Sequence, residues 1–393
     1  MKVIRFNTCA VILFMVMFAV SPAFALGEGN RNFLLIGFMG LSPLMILRYL
    51  EFDWWDLLLL LFMSLIVCTT MLFHPESMRW STVGFTAMFV FSFMAYNRLL
   101  RYSSLSINSY LKALRYLIYA YAIMLLIQQF CVFMDLPVVN LGNYSKLEPW
   151  KLNSLMSEPS HSAFVMGILM YCYIVMTERQ SGEEYDISKS FSSDRWVWFS
   201  FLWTMVTMMS GLAFLLLALI LIRFLKIRMF MQVGVIVAIV ALLVSQFETT
   251  TINRVIRVAE AVLTLDENKI VAADHSASFR IVPFMRYLSM FDVTTVDTWF
   301  GHGIDYIQNR FHLMFGGVER GARAHGGLMI LAIDYGLLAF GLFSFFSAKT
   351  CIVKKDFQSY MFWGILMLMT GVNSQLLWLT ILLLWTNKYF LNK

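Results

Sequence analysis

Residues 54–73 read WWDLLLLLFMSLIVCTTMLF. Apart from one aspartate near the start, the run is apolar or carries small hydroxyls, and no Gly or Pro interrupts it. About 20 such residues at 1.5 Å each cross the ~30 Å hydrocarbon core of a bilayer. The stretch therefore predicts a membrane-spanning helix. Working outward, comparable runs predict spans over 9–26, 32–47, 80–97, 114–135 and 161–177, then over 195–209, 211–225, 229–247, 326–346, 358–372 and 374–390. Residues 195–225 read either as two short helices broken at Ser210-Gly211 or as one long tilted helix.

Composition agrees. Of 393 residues 60% are apolar and only 14% are charged, with 36 Phe, 28 Met and 11 Trp and a mean hydropathy of +0.71. A soluble domain carries about 25% charged residues. Too few charges remain to cover a water-facing surface, which excludes a soluble enzyme, a disordered chain and a disulfide-rich secreted domain. The expected fold class is all-α, a polytopic membrane helical bundle of about twelve transmembrane helices.

The net charge of +6 does not point to nucleic acid, because the basic residues punctuate apolar runs instead of forming a patch. The cysteines Cys9, Cys68, Cys131, Cys172 and Cys351 lack metal-ligand spacing, and four lie in apolar stretches, so they read as packing residues. With the N-terminus inside, 18 of the 30 Lys and Arg fall on the cytoplasmic side and four in short outer loops. The other eight occupy one long outer loop, where charge does not govern translocation. That asymmetry predicts twelve spans with both ends inside. The first span, with Lys2 and Arg5 before it and Ala23-Phe24-Ala25 after it, also has the layout of a cleavable signal peptide; cleavage leaves eleven.

Three segments follow: 1–247 with nine spans and an outer loop at 136–160, the large outer loop 248–325, and 326–393 with three spans. The large loop is where chemistry concentrates. Ile252, Val255, Ile256, Ala259, Val262 and Leu263 recur at helical spacing, as for a helix lying on the membrane surface or packed on the bundle. Arg280 and Arg286 flank an apolar aromatic stretch, with Ser276 or Ser278 able to cap a short helix that has Pro283 in its first turn. Guanidinium groups bind phosphate bidentately; the plainer reading is lipid headgroups, or pairing with Asp292 and Asp297. In Trp299-Phe300-Gly301-His302-Gly303, the two glycines allow a tight turn and close backbone approach to a ligand.

Gly321-Ala322-Arg323-Ala324-His325-Gly326 opens into the tenth span, so His325 stands at an outer helix mouth beside Arg320 and Arg323. Such a place suits an anion and a proton acceptor. In the smaller loop, Ser157-Glu158-Pro159-Ser160-His161 puts an acid and a histidine three apart at a helix start, where they form either an ordinary helix start or else a base or an acceptor-sugar clamp. Asp56 and Asp334 are the main charges inside spans; such a residue is a functional hypothesis by default, and Asp334 reads as a packing or gating contact.

Three of these places carry a resemblance. Ser157-Glu158-Pro159-Ser160-His161 is similar to a Glu-Pro-Ser segment that precedes a span in the bacterial O-antigen polymerases. Ser278-Phe279-Arg280 with Phe300-Gly301-His302-Gly303 resembles the Arg and Gly-x-Gly elements of that family's large periplasmic loop. Ala324-His325-Gly326-Gly327-Leu328 through Asp334-Tyr335-Gly336-Leu337 resembles its His-Asn segment and the acidic-x-Gly-Leu pattern that follows. Two features depart: Met208-Met209-Ser210-Gly211 lacks the arginine often found beside that Ser-Gly, and Gly326 replaces the usual Asn.

The resemblance implies a multi-pass protein of the bacterial inner membrane, active at its periplasmic face, that joins undecaprenyl-diphosphate-linked repeat units by glycosyl transfer. It implies His325 or Glu158 as the base, Arg280, Arg286 and Arg323 on the diphosphate, and His161, Gly301 and Gly303 as acceptor or loop-turn residues. No Asp-x-Asp pair or ligand cluster marks a metal site, and no cofactor is expected. The expected partners are the lipid-linked repeats, membrane lipids and a chain-length regulator protein. The same donor chemistry would serve a ligase that moves glycan to lipid A-core. A flippase or transporter is disfavoured, because internal repeats and charged midplane residues are missing.

Overall fold

The computed structural model describes residues 2–25, 32–140, 149–185, 193–208, 210–224, 257–258, 260–273, 275–314, 327 and 329–393. In chain order these form α1 (Lys2–Val20), α2 (Phe33–Met39), α3 (Ser42–Arg48), α4 (Trp54–Phe73), α5 (Trp80–Arg101), α6 (Ile107–Phe133) and α7 (Pro159–Ser181). They continue with α8 (Arg195–Thr207), α9 (Gly211–Ile222), α10 (Glu267–Ala273), α11 (His275–Met290), α12 (Val296–Phe300) and α13 (Tyr306–Met314). The last three are α14 (Met329–Cys351), α15 (Phe357–Met369) and α16 (Gln375–Leu391). Among the described residues every regular element is a helix, and six stretches are long and apolar enough to cross a membrane: Arg5–Phe24, Trp54–Phe73, Trp80–Arg101, Ile107–Phe133, Pro159–Ser181 and Ile330–Cys351. The chain is a helical membrane protein. The expected span 229–247 and most of the amphipathic stretch 252–263 lie outside the described residues.

The expected span 32–47 is two helices, α2 and α3, separated at Gly40-Leu41 with a proline at the start of the second. Proline cannot donate the amide that would carry the first helix onward. The chain packs as two compact units.

Residues 1–11, 36–103 and 264–388 make the first unit. Its core is aromatic, with Phe93, Phe343, Phe346 and Trp378 buried and their contacting ring centroids 5.1–6.3 Å apart. At one end of this unit the starts of α1 and α4 meet the ends of α3, α5, α14 and α16. The Asn7 amide donates to the Tyr49 hydroxyl at 2.7 Å and to the Tyr102 carbonyl at 3.0 Å. The Lys388 ammonium donates to the Ile352 carbonyl at 3.0 Å. Asp53 and Asp56 form a capping box at the start of α4, which satisfies orphan amides of its first turn.

Asp56 also answers the question its burial raises. Its two oxygens accept from Arg98 Nη1 at 3.0 Å and Nη2 at 2.6 Å. The other guanidinium donors go to the carbonyls of Tyr49, Glu51 and Met94 at 3.0, 2.6 and 2.9 Å. Every donor of the buried arginine is used, so Asp56 clamps helices together rather than serving chemistry in the membrane.

Residues 12–35, 104–263 and 389–393 make the second unit. Helix α7 is its axis, buried on all sides from Ser162 to Met176. Helices α8 and α9 fold back on each other: Trp198, in the first turn of α8, lies 5.8 Å from Phe224, just beyond α9. The break at Ser210-Gly211 thus makes a hairpin and not one tilted helix. Its two open ends are tied by ion pairs, Arg115 to Asp194 at 3.0 Å and Arg223 to Glu178 at 2.5 Å. The first helix belongs here by its second half, where the Tyr121 hydroxyl donates to the Ala19 carbonyl at 2.7 Å.

Candidate functional site

In the first unit the end of α4 and the start of α5 hold the large loop at Asp297, Phe300 and Asp305. Helix α12 ends at Gly301, whose φ of 83° and ψ of 174° belong to a region open essentially to glycine. Gly303 (φ 99°) and Asp305 (φ 55°) continue the left-handed turn. Opposite, Gly336 interrupts α14 with φ 78° and ψ 173°. A break there misaligns the amides that would close the helix ladder onto the preceding turn, which leaves carbonyls in need of donors. The loop supplies them. His302 N donates to the Ile333 carbonyl and Gly303 N to the Asp334 carbonyl, each at 3.0 Å, and Ile307 N donates to Asp334 Oδ1 at 3.0 Å.

The two backbones cross so closely that a β-carbon on Gly301 would overlap the Asp334 carbonyl, and one on Gly336 the Trp299 carbonyl. The glycines of the Gly-His-Gly turn thus approach the protein's own helix. Asp334 makes a packing contact, one of the two roles read from its sequence position. Gly301→Ala should destabilise the protein by about 2 kcal/mol or more, from strain and overlap together. Gly341→Ala, in open space on the same helix, should be neutral or stabilise by up to ~1 kcal/mol. Thermal unfolding of both in detergent checks the pair.

Beneath the turn, Asp305 Oδ2 accepts from Thr82 Oγ1 at 2.8 Å and pairs with Arg79 at 3.1 Å. His74 Nε2 lies 3.3 Å from Asp297 Oδ1. Sequence reasoning did not single out His74 or Thr82, and it gave Asp305, at the end of the Gly-His-Gly motif, no role of its own. The signal was the polar cluster His74-Pro75-Glu76-Ser77 in the short connection between α4 and α5, and an aspartate two residues after Gly303.

Helix α11 is longer than expected: it starts at His275, so Pro283 falls in its interior and Ser278 is buried within it instead of capping it. One helix puts Arg280 and Arg286 roughly 9 Å apart along the axis. The Arg280 side chain lies outside the described residues. Arg286 donates through Nε to Glu267 Oε2 at 2.9 Å, and its Nη2 is 2.9 Å from the same oxygen. A phosphate would compete with that carboxylate. The aspartates take other partners: Asp297 meets His74, and Asp292 accepts from Thr294 N at 2.9 Å and Thr294 Oγ1 at 2.7 Å, bonds that hold its carboxyl below the usual range.

In the second unit, α7 begins at Pro159 with Glu158 as its cap residue. Glu158 Oε2 accepts from Ser160 Oγ at 3.3 Å and lies 4.0 Å from His161 Nε2, while His161 Nδ1 lies 3.3 Å from Ser157 Oγ. Acid, imidazole and hydroxyl are thus adjacent and partly exposed. A buried amide network fixes the loop that presents them. The Gln128 amide donates to Asn153 Oδ1 at 3.0 Å and accepts from Ser154 N at 2.8 Å, and the Asn140 amide donates to the Ser154 and Met156 carbonyls at 2.7 and 2.9 Å. Ser154 and Asn140 hold left-handed φ values of 50° and 65° within it.

His325, Arg323 and Arg320 lie outside the described residues. No model of a known protein family matches this chain, and no curated protein matches it in sequence. The site is therefore read from its own residues.

Proposed function

We propose that the chain is a polysaccharide polymerase of the O-antigen type. It joins undecaprenyl-diphosphate-linked repeat units at the periplasmic face of the bacterial inner membrane by metal-independent glycosyl transfer. One observation carries the reading: Phe300-Gly301-His302-Gly303 and Asp334-Tyr335-Gly336, separate in sequence and both singled out by the resemblance, are bonded backbone to backbone.

In this reading twelve spans place both termini in the cytoplasm, with 248–325 as the periplasmic loop. The gathering of Lys388, Arg98 and Arg101 at the end of the first unit opposite its loop supports that orientation. The hydrogen bonds made by Asn7 and Tyr121 to and around α1 support a retained first helix.

The acceptor sugar hydroxyl attacks the anomeric carbon of the donor glycan. The bond from that carbon to the phosphate oxygen breaks, and undecaprenyl diphosphate leaves with the electron pair. His325 takes the hydroxyl proton. Arg280, Arg323 and Arg286, the last exchanging Glu267 for phosphate, stabilise the charge gained by the diphosphate. Such preorganised charge is usually the largest catalytic contribution. Deleting the chain in its source cell tests the assignment on a lipopolysaccharide gel. A surviving single-repeat band on lipid A-core is the expected result, whereas loss of every repeat would identify a ligase.

A further inference from the structure

The loop elements of the first unit expose a run of large apolar side chains. Leu288, Phe291, Val293, Val296 and Trp299 are 55, 40, 58, 49 and 40% exposed. Scattered apolar residues need no explanation, but these five fall within twelve positions and the fold draws them together. Trp299 Nε1 donates to the Val293 carbonyl at 2.9 Å, which holds the indole beside Val293. Val296 and Trp299 stand three apart on α12 and so share a face. Phe291, just past the end of α11, stacks edge-on to the buried Tyr287 at 6.1 Å.

The polar groups between them are turned inward on one another. Asp292 takes the amide and hydroxyl of Thr294, and the Asp292 carbonyl takes the Thr295 hydroxyl at 2.9 Å. Such internal pairing lowers the cost of bringing the segment close to an apolar phase.

What covers this surface follows from where it sits. Helix α12 rests on the far end of the membrane-spanning α4, with Phe300 5.2 Å from Phe73 and Asp297 3.3 Å from His74. On that end of α4, Met71, Leu72 and Phe73 are 52, 75 and 43% exposed, as the lipid-facing flank of a span must be. The apolar run begins where that flank stops. A tryptophan with its N–H satisfied, beside aliphatic side chains and one carboxylate, fits the headgroup level of a bilayer.

We propose that residues 288–299 form an interfacial foot, which seats Leu288, Phe291, Val293, Val296 and Trp299 in the headgroup–acyl boundary of the leaflet reached by the far end of α4. Asp292 stays at the aqueous rim. The foot anchors the end of α11 to the membrane surface and does not depend on the activity proposed above.

Photocrosslinking of the full-length protein in vesicles of phosphatidylethanolamine and phosphatidylglycerol with tritiated headgroups tests this. Val293→p-benzoylphenylalanine should capture phospholipid several-fold more than Lys269→p-benzoylphenylalanine, on the exposed polar face of α10. Leu288→p-benzoylphenylalanine should behave like the Val293 variant. All three positions are exposed, so the substitutions leave the core intact. Equal lipid capture at 293 and 269, or capture at 293 of a second copy of the chain in place of lipid, would overturn the proposal.

Discussion

Asp56→Ala is expected to destabilise the protein by about 3–5 kcal/mol, the cost of leaving a buried charge without its partner. The side chains of Arg98 and Asp56 are 6% and 1% exposed, so water cannot replace the lost carboxylate. The same substitution removes the acceptor for Asp53 N, which Asp56 Oδ2 holds at 3.0 Å, and so undoes half of the capping box. The effect should appear as a large drop in the thermal midpoint in detergent and in the amount of protein in the membrane fraction. Asp56→Leu combined with Arg98→Met should recover part of that loss, because replacing both members of a buried pair with apolar groups is often neutral. Recovery should be incomplete, since Arg98 also ties down the carbonyls of Tyr49, Glu51 and Met94. An Asp56→Ala protein as stable as the parent would mean that the clamp contributes nothing.

Arg280→Ala and His325→Ala are expected to abolish long glycan chains while the protein stays inserted. Removing one group that stabilises developing charge costs about 10²–10³ in rate, and removing a general base about 10²–10⁴. Polymerisation repeats the step, so a penalty on every addition shortens the whole ladder toward the single-repeat band. Arg280→Lys keeps the charge but loses bidentate geometry and should give chains of intermediate length. Arg310→Ala offers a comparison on the same loop. Arg310 lies 4.4 Å above the Tyr306 ring, outside the proposed chemistry, and its loss should leave the ladder unchanged. Normal chain lengths in both Arg280→Ala and His325→Ala, at normal protein levels in the membrane, would remove these residues from the mechanism.

The sequence announced the membrane helices because the bilayer imposes one simple rule, an apolar run of sufficient length. Residues 54–73 show this: the expected span and α4 coincide residue for residue. Elements whose shape depends on tertiary partners were less legible. The break at Gly336 is invisible in an apolar helix until the loop backbone that crosses it is known. Pro283 suggested a helix start, yet α11 runs through it. Of the site, Glu158 and His161 were recognisable because both lie at one helix start, where spacing alone makes neighbours. Asp305, Thr82 and His74 were not, because their partners are more than two hundred positions away. Asp56 was the reverse case: a buried acid flagged for function that proved to have a structural partner 42 residues on.

Reconstitution tests the central claim most directly. The purified protein, placed in vesicles with undecaprenyl-diphosphate-linked repeat units extracted from the source cells, should convert them to a ladder of longer lipid-linked chains. One undecaprenyl diphosphate should be released per bond formed, with no other acceptor present. Donor left unchanged until lipid A-core is added, and then transferred to it without lengthening, would contradict polymerisation.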